Sequence, residues 1–406
     1  MSKKNNSNKS IDLKVLISED EDFLKLMIRK GIEEFMESEM AEILQAGRSE
    51  RTCSRTDYRS GYYSRNLVTR VGEIELRVPQ KRNGAFSTQI FERYQRSEKA
   101  FVAALAEMYV QGVSTRKVKR ITECLCGHEF SSSSISRIVK KLDADLDAFA
   151  NRRLEVEYPY LILDARYERV RMDGVIKSQA VLIAIGVNTD GYRSILAVEL
   201  AGSESETSWM HFLESLVERG LSGVDLVISD AHPGLRKAIT KVLPHALWQR
   251  CYVHFLRNVL SYLSKKTDKS CFEELRQLYD RKDLDEAMTD LAVWLVKWQD
   301  KCSRLCDFVE ENIEETFTFY NFPTKHRIHL RSSNLIERLN QEIKRRTKVV
   351  RIFPNAASCL RLIRSLAVEI DEGWLEGQRY LEMKFLVQHK KEDLKSQSKP
   401  NPKSAA

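Results

Sequence analysis

The sequence predicts a mixed α/β core, preceded by a mostly helical region and interrupted by an all-helical stretch. Three observations carry that expectation. Residues 158–263 alternate short apolar runs with amphipathic segments in the order β-β-β-α-β-α-β-α. Residues 258–325 hold no convincing strand, and their apolar residues, Trp294 and Trp298 among them, fall at helical spacing. Residues 99–155 read as three helices joined by short turns. At 406 residues the chain exceeds the usual size of one hydrophobic core, so two or three domains are expected.

The polar start, MSKKNNSNKS, has no apolar segment behind it and is expected to be disordered rather than a signal peptide. No run of about 18 apolar residues occurs, so no membrane span is expected. A soluble, cytoplasmic protein is the default. Residues 11–46 predict helix, amphipathic over Phe23–Leu44. The Arg/Ser/Tyr-rich segment that follows is expected to be irregular and to end in a strand, Ile74–Val78. Its arginines, Arg59 and Arg65 among them, alternate with Tyr58, Tyr62 and Tyr63. That mixture is what phosphate contact and base stacking need, although a solvated loop surface has the same composition. A helix then runs from Lys99 to Gly112, which stops it. Ser114 caps a second, which carries Arg116 and Lys117 and stops at Gly127, and a serine run caps a third over 134–155. Short turns and basic faces fit a helix-turn-helix that reads double-stranded DNA; a plain helical bundle is the alternative.

In the core, "YPYLILD" (158–164) and "VDLVISD" (224–230) are apolar strands that each end on an aspartate. With this strand order the first and fourth strands can lie side by side and parallel. Asp164 and Asp230 then share the carboxyl edge, where α/β sheets place their sites. Two adjacent carboxylates repel and favour a divalent cation between them. Oxygen ligands without a His/Cys cage suit Mg²⁺ or Mn²⁺, and a pair of such ions about 4 Å apart serves phosphoryl transfer. Either aspartate alone is as readily a cap or turn residue. A third acid is expected from the helix 332–348, whose wheel leaves Glu337 and Glu342 both open; both also read as surface glutamates in i,i+4 pairs.

The net charge of +8 hints at nucleic acid, and arginines concentrate in 48–99 and 338–364. The tail from Lys390 is Lys/Ser/Pro-rich and expected to be disordered. Eight scattered cysteines suggest no disulfide framework. Cys251-x2-His254 with Cys302-x3-Cys306 has the composition of a Cys3His zinc site, but helix-like sequence and a long separation argue against it. Cys124 and Cys126 read as core residues.

Several stretches in order resemble the mutator type of bacterial insertion-sequence transposase: "YPYLILDARYERVR", "LVISDAHPGLRKAI", "WQRCYVHFLRN", "SSNLIERLNQEIKRRTKVVRIFPN" and, near the N-terminus, "RSGYYSRNLVTRVGEIELRVPQ". The likeness spans about residues 20–385. It implies an RNase H-like core with a DDE triad falling on Asp164, Asp230 and Glu337, and two Mg²⁺ or Mn²⁺ ions. The family's C/D-x2-H signature falls on Cys251 and His254. The organisation it implies is 1–98 as a helical, Arg-rich DNA-binding region and 99–155 as helix-turn-helix. Residues 156–257 and 329–385 are the two parts of the core, 258–328 a helical insertion, and 386–406 a disordered basic tail. The implied activity is cleavage at terminal inverted repeats and strand transfer into target DNA, by in-line attack of water and then a 3′-hydroxyl. Two ends must be held together, so a dimer or larger synaptic complex is expected. Auxiliary roles on DNA are expected for His254, which otherwise holds its helix on the sheet, and for Asn340. Lys344, Arg345 and Arg346 are candidate phosphate contacts. Trp298 is a candidate base-stacking residue, with core packing as its alternative. A nuclease or resolvase on the same core, or an inert DNA-binding regulator, remain rival readings.

Overall fold

The computed structural model describes residues 21–50, 53, 55–69, 72–83, 86, 88, 90, 99–126, 131–263 and 270–397. The expected disordered start, residues 11–20 of the expected 11–46 helix and the Gly127 helix stop lie outside the described residues. The chain divides into two compact units between Lys141 and Leu142, inside the 99–155 segment.

In the first unit, α1 (Glu21–Leu44) lies against an antiparallel hairpin, β1 (Arg59–Thr69) and β2 (Gly72–Lys81). Along β2, Ile74, Leu76 and Val78 are buried and Glu73, Glu75 and Arg77 exposed, the period-two signature of a half-buried strand. These residues pack with Met36, Ile28 and Ile32 of α1. The segment expected to be irregular is therefore a strand over Arg59–Thr69. Only Leu67, Val68 and Thr69 of it are buried, and a bulge beside Gly61 breaks its register, so its apolar alternation is too weak to see.

Three helices follow: α2 (Lys99–Val110), α3 (Thr115–Cys126) and α4 (Ser132–Lys140). Phe101, Leu105, Val118, Ile135 and Val139 are buried apolar residues among them. Gly112 takes a positive φ of 81° just past α2, and the Val113 amide donates to the Met108 carbonyl, closing the helix end. Ser114 Oγ accepts from the Lys117 amide, and Ser131 Oγ from the Ser134 amide, capping α3 and α4. The third helix does not run on to 155. It ends at Lys140, and α5 (Asp143–Ala150) begins in the second unit, with Asp143 and Asp145 complementing its N-terminal dipole.

The second unit is built on a five-stranded mixed sheet. Its strands are β3 (Tyr160–Met172), β4 (Val175–Val187), β5 (Arg193–Ala201), β6 (Leu226–Ser229) and β7 (Leu247–Arg250), in the spatial order β5-β4-β3-β6-β7. β4 is antiparallel to β3 and β5; β6 is parallel to β3 and β7. Helices α6 (Glu206–Glu218) and α7 (Pro233–Val242) cover one face, where Trp209, Phe212 and Leu235 pack with Leu161, Leu163 and Val227. On the other, Tyr160 meets Phe322 and His326 edge-on.

After β7 comes α8 (Tyr252–Tyr262), then α9 (Ser270–Gln277), α10 (Leu284–Asn312) and α11 (Thr324–Leu330). The described part of 258–325 contains no strand. The chain returns through α12 (Asn334–Val350) and α13 (Ala356–Leu375). Asp371 of α13 accepts hydrogen bonds from the Ile195 amide (2.6 Å) and Ser194 Oγ (2.8 Å), tying that helix to β5.

Two expectations change here. Asp164 does not end its strand, because β4 pairs with β3 all the way to the Asp173-Gly174 turn, with Asp164 opposite Ile183. The tail is not wholly disordered: α14 (Lys384–Gln397) is a helix, anchored by buried Met383 and Leu386 and by Lys390 Nζ on Asp225 (2.7 Å). Residues 398–406 lie outside the described residues.

Candidate active site

The last parallel pair between β3 and β6 is Ile162 with Ile228. Asp164 and Asp230 each stand two residues further on, so side-chain alternation sends both to the face of that pair. Neighbouring strands are about 4.8 Å apart, and β6 ends at Ser229, which opens the edge at that level. Burial first, and then the Asp230 charge, push the Asp164 carboxyl up to about 6; nearby His254 works against both. Asp230 Oδ1 accepts from the His232 amide at 3.1 Å. The Pro-Gly after it has a steric cause: a Cβ on Gly234 would come within 2.6 Å of the Glu206 amide nitrogen, so only glycine lets the 204–206 turn press on the start of α7.

Helix α12 brings the third acid. It is docked on β3 by Arg166, whose guanidinium donates to Glu168 and to the Asn340 carbonyl, and by Thr347 Oγ1, which donates to Glu168 at 3.0 Å. Asn340 Nδ2 donates to Asp164 Oδ2 at 2.6 Å. Glu337 is one turn earlier on the same helix, and i,i+3 residues are neighbours about 5–6 Å apart at Cβ. Glu337 Oε1 receives Arg257 Nη2 at 2.8 Å and lies 3.8 Å from His254 Nε2. Glu342, the other acid of the helix, is engaged away from the site by Arg345 at 2.9 Å and Arg346 at 4.0 Å.

His254 stands among the acids. The adjacent Cys251 sulfur is the main cause that raises its pKa to about 9; burial opposes this, while Asp164 and Asp230 add to it. His254 Nδ1 is buried beside that sulfur without a hydrogen bond of good geometry. Cys251 is fully buried, and its Sγ accepts from the Ser333 amide (3.3 Å) and Ser333 Oγ (3.1 Å) at the start of α12. Burial pushes the thiol up, but His254 and Ser333 outweigh it and its pKa is lowered. Cys251 thus links the start of α8 to the start of α12, the helix of Glu337.

The structure adds one residue that the sequence reading missed. Glu204 follows β5, whose direction matches β3, so its loop opens at the same edge. Its pKa is raised by burial and then by Asp230, while Trp209 Nε1 donates to it at 3.3 Å and His232 Nδ1 lies 3.8 Å away. The strand order was the signal that could have found it.

Other expected site residues scatter. Lys344 and Arg345 are exposed on α12, as expected of phosphate contacts. Arg346 is not: only 4% of it is accessible, and it faces Glu369 at 3.6 Å, because the turn of the helix points it inward. Trp298 is 2% exposed with Nε1 on Glu274 (2.9 Å), so it fills the α9–α10 interface and offers no face to a base. In the first unit Arg116 and Lys117 are exposed, Arg65 is half-buried, and Arg59 is paired with Glu37. Tyr58 and Tyr63 are exposed, whereas Tyr62 donates to Glu37 at 2.6 Å. Cys124 is exposed rather than a core residue.

Among the described residues no three His, Cys, Asp or Glu side chains close into a ready-made metal cage. The donor set nevertheless fits a hard divalent cation. Asp164 and Asp230 are like charges in mutual repulsion. Asn340 Oδ1, on the amide that grips Asp164, is buried with no hydrogen-bond donor. Such an orphaned oxygen is a natural ligand for Mg²⁺ or Mn²⁺.

The raised Asp164 pKa gives a measurable consequence. Protonation of this carboxyl stabilises the ion-free fold relative to an unfolded aspartate at 3.8. That contribution is fully present below about pH 4 and is lost as the pH rises through about 6. Urea unfolding of ion-free protein should therefore show the parent losing stability over this window relative to Asp164→Asn. Parallel profiles for the two proteins would refute the buried, repelled carboxyl.

Residues 1–377 match the family model for the Mutator family of transposases. The chain is 59% identical over 391 residues to the transposase for insertion sequence element ISRM5 of Rhizobium meliloti (strain 1021), covering 96% of this chain and 98% of that one. It is 42% identical over 363 residues to the transposase for insertion sequence element IS256 in transposon Tn4001 of Staphylococcus aureus, covering 88% and 93%. To the transposase for insertion sequence element IS406 of Burkholderia multivorans (strain ATCC 17616 / 249) it is 43% identical over 357 residues, covering 87% and 92%. The chain belongs to the Mutator family of transposases.

Proposed function

We propose that this transposase is a DDE enzyme with an RNase H-like core. In this reading it binds the terminal inverted repeats of an insertion sequence, cuts the DNA strand there and joins it to target DNA. One observation carries the reading: Asp164 and Asp230 stand at matched positions beyond the last pair of two parallel neighbouring strands, with Glu337 brought to them by the helix that grips Asp164 through Asn340.

Asp164 and Asp230 would share a pair of Mg²⁺ or Mn²⁺ ions, and Glu337 would complete the set. When bound, such ions supply the positive charge that activates an attacking oxygen and steadies a leaving one in phosphoryl transfer. The chain's own part is placement. Asn340 holds the Asp164 carboxylate in one orientation, and the His232 amide holds that of Asp230. His254, 3.8 Å from Glu337 and with its pKa raised by Cys251 and the two aspartates, suits a contact with the negative phosphodiester. Lys344 and Arg345 lie one to two turns further along α12 and suit the backbone of the same strand. The helices α2–α4, with exposed Arg116 and Lys117, and the Arg/Tyr hairpin suit recognition of the duplex end. Holding two ends together calls for a dimer or larger synaptic complex. Action on DNA would place the protein at the nucleoid; among the described residues no helix is long and apolar enough to cross a membrane.

The test is a linear fragment carrying the element's own end, incubated with the full chain and Mg²⁺. Strand breaks at the end together with joined products are expected. Breaks without joining would make the protein a nuclease or resolvase. Retention of the fragment without breaks in either Mg²⁺ or Mn²⁺ would make it a DNA-binding regulator.

A further inference from the structure

Glu337 is held by an exposed arginine for which the reaction scheme has no use. Arg257 Nη2 donates to Glu337 Oε1 at 2.8 Å. We propose that Arg257 is an exchangeable counter-ion. It holds Glu337 while the site is free of ions, gives up that oxygen when divalent ions take it, and then contacts a backbone phosphate of the bound strand. The inference rests on the reading of Glu337 as the third acid of the site.

A guanidinium stays protonated at any working pH and carries no acceptor, so Arg257 competes directly with a metal ion for the same carboxylate oxygen. An ion that carries two charges and approaches to about 2.1 Å outbids one donated hydrogen bond. Release is cheap. The Arg257 side chain is 57% exposed, against 20% for Glu337, so water can take over its hydrogen bonds when it lets go.

Anchoring separates Arg257 from the chain's structural arginines. Arg152 donates to Phe149 O, Ser194 Oγ, Ile195 O and Asp371, and Arg327 to three backbone carbonyls. Among the described residues Arg257 has the one partner. Its planar fork is built for bidentate recognition of phosphate, and most of that fork is unused.

Position completes the case. His254 and Arg257 are three residues apart on α8, so they share a face, and both address the same oxygen. When Glu337 turns to the ions, the guanidinium is left beside a carboxylate cluster that binds a phosphodiester. Ion loading and strand binding then reinforce each other, since each removes what the other displaces.

Mn²⁺ binding to the full, DNA-free chain, read by the paramagnetic resonance of the free ion, separates this role from a structural one. Arg257→Ala should bind Mn²⁺ more tightly, by about two- to fivefold, the range of an exposed pair, and Arg257→Lys should resemble the parent. A purely structural salt bridge predicts the opposite sign or no change, and either result overturns the proposal. A second measurement reads the phosphate contact. With a labelled duplex in Ca²⁺, the slope of log affinity against log salt should fall by about one unit in Arg257→Ala, but not in EDTA. An equal slope in Ca²⁺ also overturns it. Asp230→Asn is the control for the underlying site. If that variant binds Mn²⁺ as the parent does, the three-acid reading itself has failed, and the role of Arg257 falls with it for that separate reason.

Discussion

Asp230→Asn protein should fold, retain end-bearing DNA, and cut it about a thousandfold more slowly than the parent in Mg²⁺, equivalent to about 4 kcal/mol of barrier. The change removes one charge and almost nothing else. An asparagine keeps an oxygen where the His232 amide now donates. It also relieves the repulsion that Asp230 exerts on Asp164 and Glu204, so thermal stability should hold or rise. What is lost is half of the paired charge that would gather cations at the sheet edge, and in the proposed mechanism the charge and alignment that those ions would supply lower the barrier. Glu337→Gln should behave alike. Glu342→Gln should cut within about twofold of the parent, because that acid is engaged by exposed Arg345 away from the site. Gel analysis of labelled ends measures all three. Parental cutting by Asp230→Asn sinks the catalytic assignment, and a severe loss in Glu342→Gln reassigns the third acid.

The order of strands and the pairing of the first with the fourth were legible, because buried strands announce themselves as short apolar runs ended by turn residues. The pair Asp164 and Asp230 followed from that order. What was hidden depended on partners distant in sequence. The Asp173-Gly174 turn signal marked a hairpin, but the charged residues of "ARYERVRM" hid that the first strand continues unbroken past Asp164 to reach it. Arg59–Thr69 carries too few apolar residues to betray a strand, and it becomes one only against β2. Arg346 reads as one more basic residue of α12, yet the helix turns it inward onto Glu369. Glu204 sits in a turn with no periodicity, and it enters the site only because Gly234 lets two backbones touch. The helix wheel left Glu337 and Glu342 equal, and the difference between them is made by α8, an element about 80 residues away in the chain.

Trp209→Ala should destabilise the second unit by about 3–5 kcal/mol, the usual loss for a large aromatic removed from a core. Trp209 is fully buried on α6 and meets the Phe212 ring edge-on, with centroids 5.6 Å apart. Around it stand Leu161 and Leu163 of β3, Val227 of β6 and Leu235 of α7, the two strands that carry the aspartates and the helix that follows Asp230. These elements are held by the sheet on one side and cannot collapse into the vacated space, so little of the loss is recovered by relaxation. The indole also has a polar end, with Nε1 on Glu204. Trp209→Phe separates the two roles. It should restore most of the stability, but it leaves Glu204 without its donor and free to shift against Asp230 and His232. Urea unfolding followed by circular dichroism reads the first effect, and Mn²⁺ affinity of the folded variants reads the second. A loss below about 1 kcal/mol in Trp209→Ala would mean that this cluster does not set the spacing of β3 and β6. The matched positions of Asp164 and Asp230 would then need another source of rigidity.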